Sequence, residues 1–449
     1  MSRREMSTSP TPESGRAAKR PKVEHLTSES FKNGVFLAPM VRSGALPTRL
    51  MALKHGATLV WGPEVVDKAI LHAERVVDPL TGVVSYNGKS RAIFTTHPVE
   101  KPYLIYQIGS ASPELAVQAA KTVVQDVSGI DLNCGCPKPF STHSGMGAAL
   151  LTNPDLLCDI LTALRRELPP EVTVSAKIRL LPTQAETKKL VERIVRTGVS
   201  ALTVHCRTRN MRPREAALIE RLREIVDFVQ GLGVDIAVVE NGDCQGWEDA
   251  KRIKKLTGAS SVMVATAAES NPTCFSTTPL MDLETTLIPS YLRMSKYLDN
   301  HWALTKFCVS QFKAPRTERS KSEAHEYKTK IIAAKGYDDL TELVGDGSGE
   351  ADFAKIVSAI QSRRPRRLII EDSGTTPRRK TPRCRPLLTV RTQNHPLHAL
   401  RWVLALSYAC HFLHSSLAVM PSRRHQRPRQ LRREHVPWHC SIGSRIRLI

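Results

Sequence analysis

Residues Asp131-Leu-Asn-Cys-Gly-Cys-Pro-Lys-Pro-Phe-Ser-Thr-His-Ser-Gly-Met-Gly-Ala-Ala-Leu150 decide how this chain is read. The run Val127 to Leu132 that leads into them is short, apolar and flanked by small residues, the pattern of a buried parallel strand. Downstream, Ala148 to Leu164 repeats Leu and Ile at helical spacing. Between the two lies a glycine-rich turn that sets an amide, Asn133, and a thiol, Cys136, at the strand's carboxyl end. Enzymes of alternating strands and helices keep their reacting groups there.

Outward from this segment, one pattern returns about eight times: a short apolar run closed by a polar or small residue, then an amphipathic stretch. The runs are Val35 to Met40, Thr58 to Gly62, Tyr103 to Ile108, Gly129 to Asn133, Val172 to Ile178, Ala201 to His205, Asp235 to Glu240 and Ser261 to Ala265. Such alternation predicts parallel strands with crossover helices, and eight units in roughly 230 residues match a (β/α)8 TIM barrel better than a doubly wound sheet. Met40, Gln107, Asn133, Lys177, His205 and Asn241 stand at or beside the ends of their runs, and a barrel brings them to one mouth. The expected division is a disordered segment over 1–30, the barrel over 31–278, a small helical domain over 279–362 and an Arg-rich tail over 363–449. Helical periodicity in the third part falls at Leu283 to Leu298, Trp302 to Phe312, Glu323 to Ala334 and Ala351 to Gln361.

The formal charge of +22 over 449 residues suggests a nucleic-acid partner, but 19 basic against three acidic residues lie after Ser362. The globular part is therefore only mildly basic. The ten cysteines form no repeated C-x-x-C and fit a reducing compartment. Cys134 and Cys136 have no second Cys or His pair at zinc spacing, so no metal is expected. Leu397 to Met420 is the one run of membrane length, and its His398, Arg401, His411 and His414 argue against a spanning helix. Lys19, Arg20 and Lys22 form a basic cluster of the nuclear-import type or a solvated tail, which leaves a cytoplasmic or nuclear location open. The tail reads either as an Arg-rich RNA-binding segment or as an out-of-frame or retained-intron product.

Leu37-Ala-Pro-Met-Val-Arg42, Tyr106-Gln-Ile-Gly109, Asp131-Leu-Asn-Cys-Gly-Cys-Pro-Lys138, Gly145-Met-Gly-Ala-Ala-Leu-Leu151, Lys177-Ile-Arg179, Val204-His-Cys-Arg207 and Glu240-Asn-Gly-Asp243, in this order and spacing, resemble the tRNA-dihydrouridine synthases. The likeness covers about residues 33 to 312. Gly198-Val-Ser-Ala-Leu-Thr-Val-His-Cys-Arg-Thr-Arg209 and Ala259-Ser-Ser-Val-Met-Val-Ala265 are similar to the eukaryotic branch that acts on position 20 of the D-loop. The resemblance implies an FMN-bearing barrel, a helical RNA-binding domain, and reduction of a uracil 5,6 double bond with NADPH as reductant and tRNA as partner. No obligate protein partner is evident.

On that footing Cys136 is the candidate acid, because a thiol near pKa 8.5 is mostly protonated at neutral pH and a proton is needed at C5. Cys158 and Cys274 read instead as small buried hydrophobes. The implied cofactor residues are Pro39, Met40, Val41, Gln107, Lys177, His205, Asn241, Gly242, Asp243, Ala265 and Thr266, with Lys177 opposite the charge of the reduced ring. Asn133, Lys138, Arg179 and Arg207 are the substrate-side candidates, with Arg209 and Arg212 as further entrance cations. Two positions depart from the family: relatives usually carry Arg where Thr266 stands and Gly where Asp243 stands, and both changes work against a phosphate. Two rival readings follow, an FMN barrel acting on a small free pyrimidine and an RNA-binding protein with a decayed flavin site.

Overall fold

A computed structural model describes residues 25–313, 321–345, 347–364 and 366–369. The import-type cluster at Lys19, Arg20 and Lys22, the apolar run from Leu397 and nearly all of the tail lie outside the described residues.

Eight parallel strands close into a barrel: β1 (Val35–Leu37), β2 (Val60–Val66), β3 (Leu104–Gly109), β4 (Gly129–Cys134), β5 (Thr173–Leu180), β6 (Ala201–Thr208), β7 (Ala237–Asn241) and β8 (Ser261–Val264), with β8 pairing back onto β1. The eight runs of the sequence are these eight strands. Outward-facing positions such as Ile130, Leu132, Val174, Ile178, Leu202 and Val204 are buried beneath the helices. Inward positions change character along the axis. At the amino-terminal end Phe36, Trp61, Ile105, Ala201, Ala237, Val239 and Met263 fill the interior, whereas Gln107, Asp131, Asn133, Ser175, Lys177, His205 and Asn241 continue the same alternate positions toward the carboxyl ends. The period-2 rule thus gives one barrel an apolar floor and a polar mouth.

Sequence-local signals start and stop the crossover helices. Ser112 accepts a hydrogen bond from the Leu115 amide ahead of α2 (Pro113–Val123), following α1 (Leu46–Lys54). Asn153 caps α3 (Pro154–Glu167) in the same way, and both helices carry Pro at their first position. Thr183 and Glu186 form a reciprocal capping box at α4 (Gln184–Val195). Next come α5 (Arg221–Gly231) and α6 (Trp247–Thr257), the latter stopped by Gly258 in the left-handed region, then the short α7 (Thr266–Ser270).

Beyond the barrel stand α8 (Leu283–Tyr297), α9 (Trp302–Gln311), α10 (Lys321–Ala333) and α11 (Gly349–Ser362), within a residue or two of the periodic stretches read from sequence. They pack onto the barrel through α1, where Thr48 shares a 2.8 Å hydrogen bond with Tyr291, and through the segment before β3, where Phe353 of α11 stacks edge-on against His97 at 5.0 Å.

Three features differ from the sequence reading. A three-stranded antiparallel sheet, Glu74–Val77, Val84–Asn87 and Ala92–Thr96, interrupts the crossover between β2 and β3. Its strands are only four or five residues long and its first is exposed throughout, so the short alternation of Val84-Ser-Tyr-Asn87 is the one strand signal it leaves. The segment read as disordered to residue 30 already contains a 3-10 turn, Ser28–Phe31, whose fully buried Phe31 closes the barrel floor against Phe36 and Trp61 at 6.3 and 6.1 Å. The tail boundary at 362 also falls short. Arg363 stacks 3.6 Å over Tyr103 and donates to the Ala57 and Thr58 carbonyls, while Leu368 is buried and its amide donates to Asn33 at 2.7 Å.

The insert is fastened by a fully buried ion pair. Arg49 of α1 donates to both oxygens of Glu100, at 2.9 and 2.6 Å, and also to the carbonyls of Gly44 and Thr95. Thr96 adds its hydroxyl to the same carboxylate at 2.8 Å. Removal of one member leaves an uncompensated charge in the interior, so Arg49→Met should cost about 3 to 5 kcal/mol in urea unfolding. Arg49→Met combined with Glu100→Gln should recover part of that loss, and equal losses for the single and double variants would show that packing rather than charge dominates.

Candidate active site

The turn after β4 is built by one side chain. Asn133 accepts hydrogen bonds from the amides of Gly135 and Cys136, both at 2.9 Å, and its own Nδ2 donates to Gln107 Oε1 at 3.1 Å. Gln107 Nε2 donates to Asp131 at 2.7 Å, and Ser175 donates to the other oxygen of Asp131 at 2.6 Å. The network spans β3, β4 and β5. Burial pushes the Asp131 carboxyl up to about 6 despite those two bonds and the nearby Lys177 charge.

Across the mouth, Lys177 donates to Asn241 Oδ1 at 2.8 Å, and Asn241 Nδ2 donates to the Met263 carbonyl at 2.9 Å. Burial, with Arg179 beside it, lowers the Lys177 ammonium to about 8. His205 lies in the same positive neighbourhood, and burial plus Lys177, Arg179 and Arg207 push its imidazole far down. Arg207 Nη1 is 3.3 Å from His205 Nε2; a guanidinium only donates, so this nitrogen accepts and the ring is neutral. Arg179 donates to the Gly135 carbonyl at 2.8 Å and to the Thr208 carbonyl at 3.1 Å, tying the Cys136 turn to the end of β6.

Cys136 itself is half-buried, and burial together with the charge of Glu64 pushes its thiol up to about 11. It holds its proton at neutral pH. Cys274 is buried, as its sequence context suggested, whereas Cys158 on α3 is only half-buried.

Other candidates fall into three groups. Pro39 and Met40 are half-buried beside the mouth, and Val41 next to them is 55% exposed. Ala265 precedes the first turn of α7, which Thr266 opens with its side chain exposed. Lys138, Arg209 and Arg212 are outward on loops after strand ends. Arg207 is not an entrance cation: it is 6% exposed, and its guanidinium is spent on the Glu215 and Pro213 carbonyls and on Asp243 at 2.5 Å. Asp243, in the left-handed region at φ 61°, also accepts the Ala217 amide at 2.7 Å. Its carboxylate is thus matched by Arg207 rather than left facing a phosphate. Among the described residues no group of His, Cys, Asp and Glu is arranged to hold a metal ion.

Glu64 and Ser141 were not legible in the sequence. The β2 run appeared to end at Gly62 because Pro63 follows, yet the strand continues to Val66 with a register shift between Trp61 and Glu64. That bulge reverses the alternation and brings Glu64 to the mouth, where Ser141 donates to its carboxyl at 3.3 Å. The bulge's only sequence mark is the Gly62-Pro63 pair.

A parallel barrel with a thiol, an amide network and a cation at the strand carboxyl ends is an α/β-barrel enzyme site. Residues 36–337 match the family described as dihydrouridine synthase (Dus). A Schizosaccharomyces pombe protein named tRNA-dihydrouridine(20) synthase is 48% identical over 290 residues, which cover 63% of this chain and 60% of that one. A Saccharomyces cerevisiae protein of the same name is 40% identical over 341 residues, 72% of this chain and 87% of that one. Both names carry the qualifier NAD(P)+. The chain belongs to the dihydrouridine synthase family.

One buried group next to the site opposes stability. Glu240 lies on the helix-facing side of β7, fully buried, and neither carboxyl oxygen has a hydrogen-bond partner. Burial, then Asp243 and Asp249, hold its pKa well above 4.5. Below about 4.5 both folded and unfolded chains carry the proton, so ionisation adds no cost and only the unpartnered neutral carboxyl weighs on the fold; above it only the unfolded chain ionises, and stability falls as pH rises. Glu240→Leu should therefore be more stable at pH 7 by about 1 to 3 kcal/mol, with the gain shrinking to its pH-independent part near pH 4. A gain independent of pH would point to packing instead.

Proposed function

We propose that this chain reduces a D-loop uridine of tRNA, at position 20, to dihydrouridine, with FMN held in the barrel mouth and NADPH as the reductant. The observation that carries the reading is a protonated thiol, Cys136, fixed at the same mouth as the Lys177–Asn241 pair and the Gln107–Asn133 amides. Similarity to the two position-20 synthases supports the substrate. The chain spans 60% of the length of the first and 87% of the second.

The donor set fits an isoalloxazine. Lys177 is a half-buried ammonium held by the neutral amide oxygen of Asn241, so an anionic ring edge would meet its charge. Gln107 and Asn133 offer amide donors and acceptors, and neutral His205 offers its Nδ1 proton. Pro39, Met40 and Val41 supply an apolar wall, and Asn241, Gly242, Asp243, Ala265 and Thr266 bound the phosphate end, where Asp243 is neutralised by Arg207. That pairing removes the part of the argument for a decayed flavin site that rests on Asp243; the part that rests on Thr266 stands. When bound, FMN supplies the hydride that reaches uracil C6.

The protein's own part is protonation and restraint. Cys136 gives the proton that C5 requires, and burial keeps that proton on sulfur until a carbon of sufficient basicity arrives. Arg179 and the Asn133 amide fix the turn so that the sulfur does not swing away. Uracil stacked inside folded RNA must be extruded to reach the mouth, and Lys138, Arg209 and Arg212 are placed to hold phosphates outside it.

Incubation of unmodified tRNA with the full chain, FMN and NADPH tests the reading. Cys136→Ala should lower dihydrouridine formation about 100-fold or more while leaving FMN absorption in place; turnover at the parental rate would reject the assignment. FMN affinity should weaken as pH rises through about 8, where Lys177 loses its proton. Lys177→Arg should abolish that weakening, and a flat profile in the parent would remove Lys177 from the ring.

A further inference from the structure

Behind the Cys136 thiol lies a polar cluster that the proposed reaction leaves unused. Glu64 is only 9% exposed, Ser141 is fully buried, and the Ser141 hydroxyl donates to Glu64 Oε1 at 3.3 Å. The Cys136 side chain borders the same pocket, and the Glu64 charge acts on its thiol. Three separate segments converge there: the bulged end of β2, the short helix Pro139–Thr142 and the turn after β4.

The surrounding backbone is shaped to admit them. A Cβ on Gly109 would stand 2.7 Å from Glu64 Oε1. A Cβ on Gly147, which has φ +59°, would stand 2.3 Å from Ser141 Oγ and 3.2 Å from Cys136 Cβ. Glycine at these two positions leaves room for the carboxyl, the hydroxyl and the Cys136 side chain to lie together. Glu64 acts on Cys136 and on the buried Cys134, and Arg179 faces Cys136 with the opposite sign. The Lys138 amide completes the surroundings of the sulfur.

We propose that Glu64 is the positioning residue of the acid: its carboxylate, steadied by Ser141, keeps the proton on the Cys136 sulfur and draws a replacement to that sulfur after each turnover. The inference rests on Cys136 as the proton donor. In the forward step an S–H bond breaks and a C–H bond forms at the substrate, which leaves a thiolate facing a carboxylate. Two negative charges in one half-buried pocket repel, so water at the mouth gives up a proton, the S–H bond is remade and hydroxide leaves to solvent. Arg179 alone would stabilise the thiolate and stall that return; burial and the Glu64 charge turn the balance toward the thiol.

The test is the pH profile of Cys136 alkylation by iodoacetamide in the full chain, with the Cys136→Ala background subtracted. Thiolate is the reacting form. Glu64→Gln, which keeps the shape and removes the charge, should shift the profile down by about one pH unit and alkylate about tenfold faster at pH 8. Glu64→Asp, which keeps the charge but withdraws it from sulfur, should shift it less in the same direction, and it carries the test alone if circular dichroism shows the Gln variant unfolded. Coincident profiles for the parent and the folded variant would overturn the proposal. Dihydrouridine formation by Glu64→Gln should also lose its alkaline limb at lower pH. A shifted alkylation profile in a chain that reduces no tRNA would leave the thiol–carboxyl coupling standing and remove the enzymatic reading; tRNA reduction with an unshifted profile would do the reverse.

Discussion

The Asn133 amide is the interaction on which the site depends. It closes the turn that carries Cys136 by taking both backbone amides onto one oxygen, and it reaches Gln107 with its nitrogen. Without it two N–H groups in a half-buried turn would lose their partners, a loss of about 1 to 3 kcal/mol each. The same residue therefore shapes the loop and fixes the distance between the thiol and the rest of the mouth. Because Gln107 is itself bonded to Asp131, and Asp131 to Ser175, a displacement at the turn is resisted by three adjacent strands.

Charge is partitioned across the mouth. Lys177, Arg179 and Arg207 gather on the side of β5 and β6, where burial and their charges keep His205 neutral, and burial, with Arg179 beside Lys177 and Arg207 beside Arg179, lowers the proton affinity of Lys177 and Arg179. Glu64 occupies the side of β2, next to the thiol. The arrangement separates a region that welcomes an anion from a region that retains a proton, a separation that suits the proposed delivery of hydride and proton to adjacent carbons.

The barrel was legible because its strands alternate short apolar runs with helical periodicity, and because parity is preserved along each strand: Asn133, Lys177, His205 and Asn241 share the inward side with floor residues of their own strands or neighbours. Parity also explains what was missed. Glu64 stands three residues after Trp61, so an unbroken strand would turn it outward; only the irregularity at Pro63 turns it in. Arg207 was misplaced for a different reason. A strand-end arginine looks the same in sequence whether it faces solvent or a carboxylate, and its partner Asp243 lies one crossover away. The exposed antiparallel insert buries too little apolar surface on its first strand to leave a pattern.

The strap from Arg363 to Leu368 links the amino-terminal ends of several strands: Arg363 meets the carbonyls just before β2 and the ring of Tyr103 before β3, Leu368 meets Asn33 before β1, and Lys254 reaches the Leu368 carbonyl at 2.9 Å. Such a buckle makes the end of the helical region and the underside of the barrel a single cooperative unit. Shortening the protein at the last helical residue would unfasten the floor on the side opposite the chemistry, so loss of activity in that shortened form would report a loosened scaffold and not a missing RNA contact.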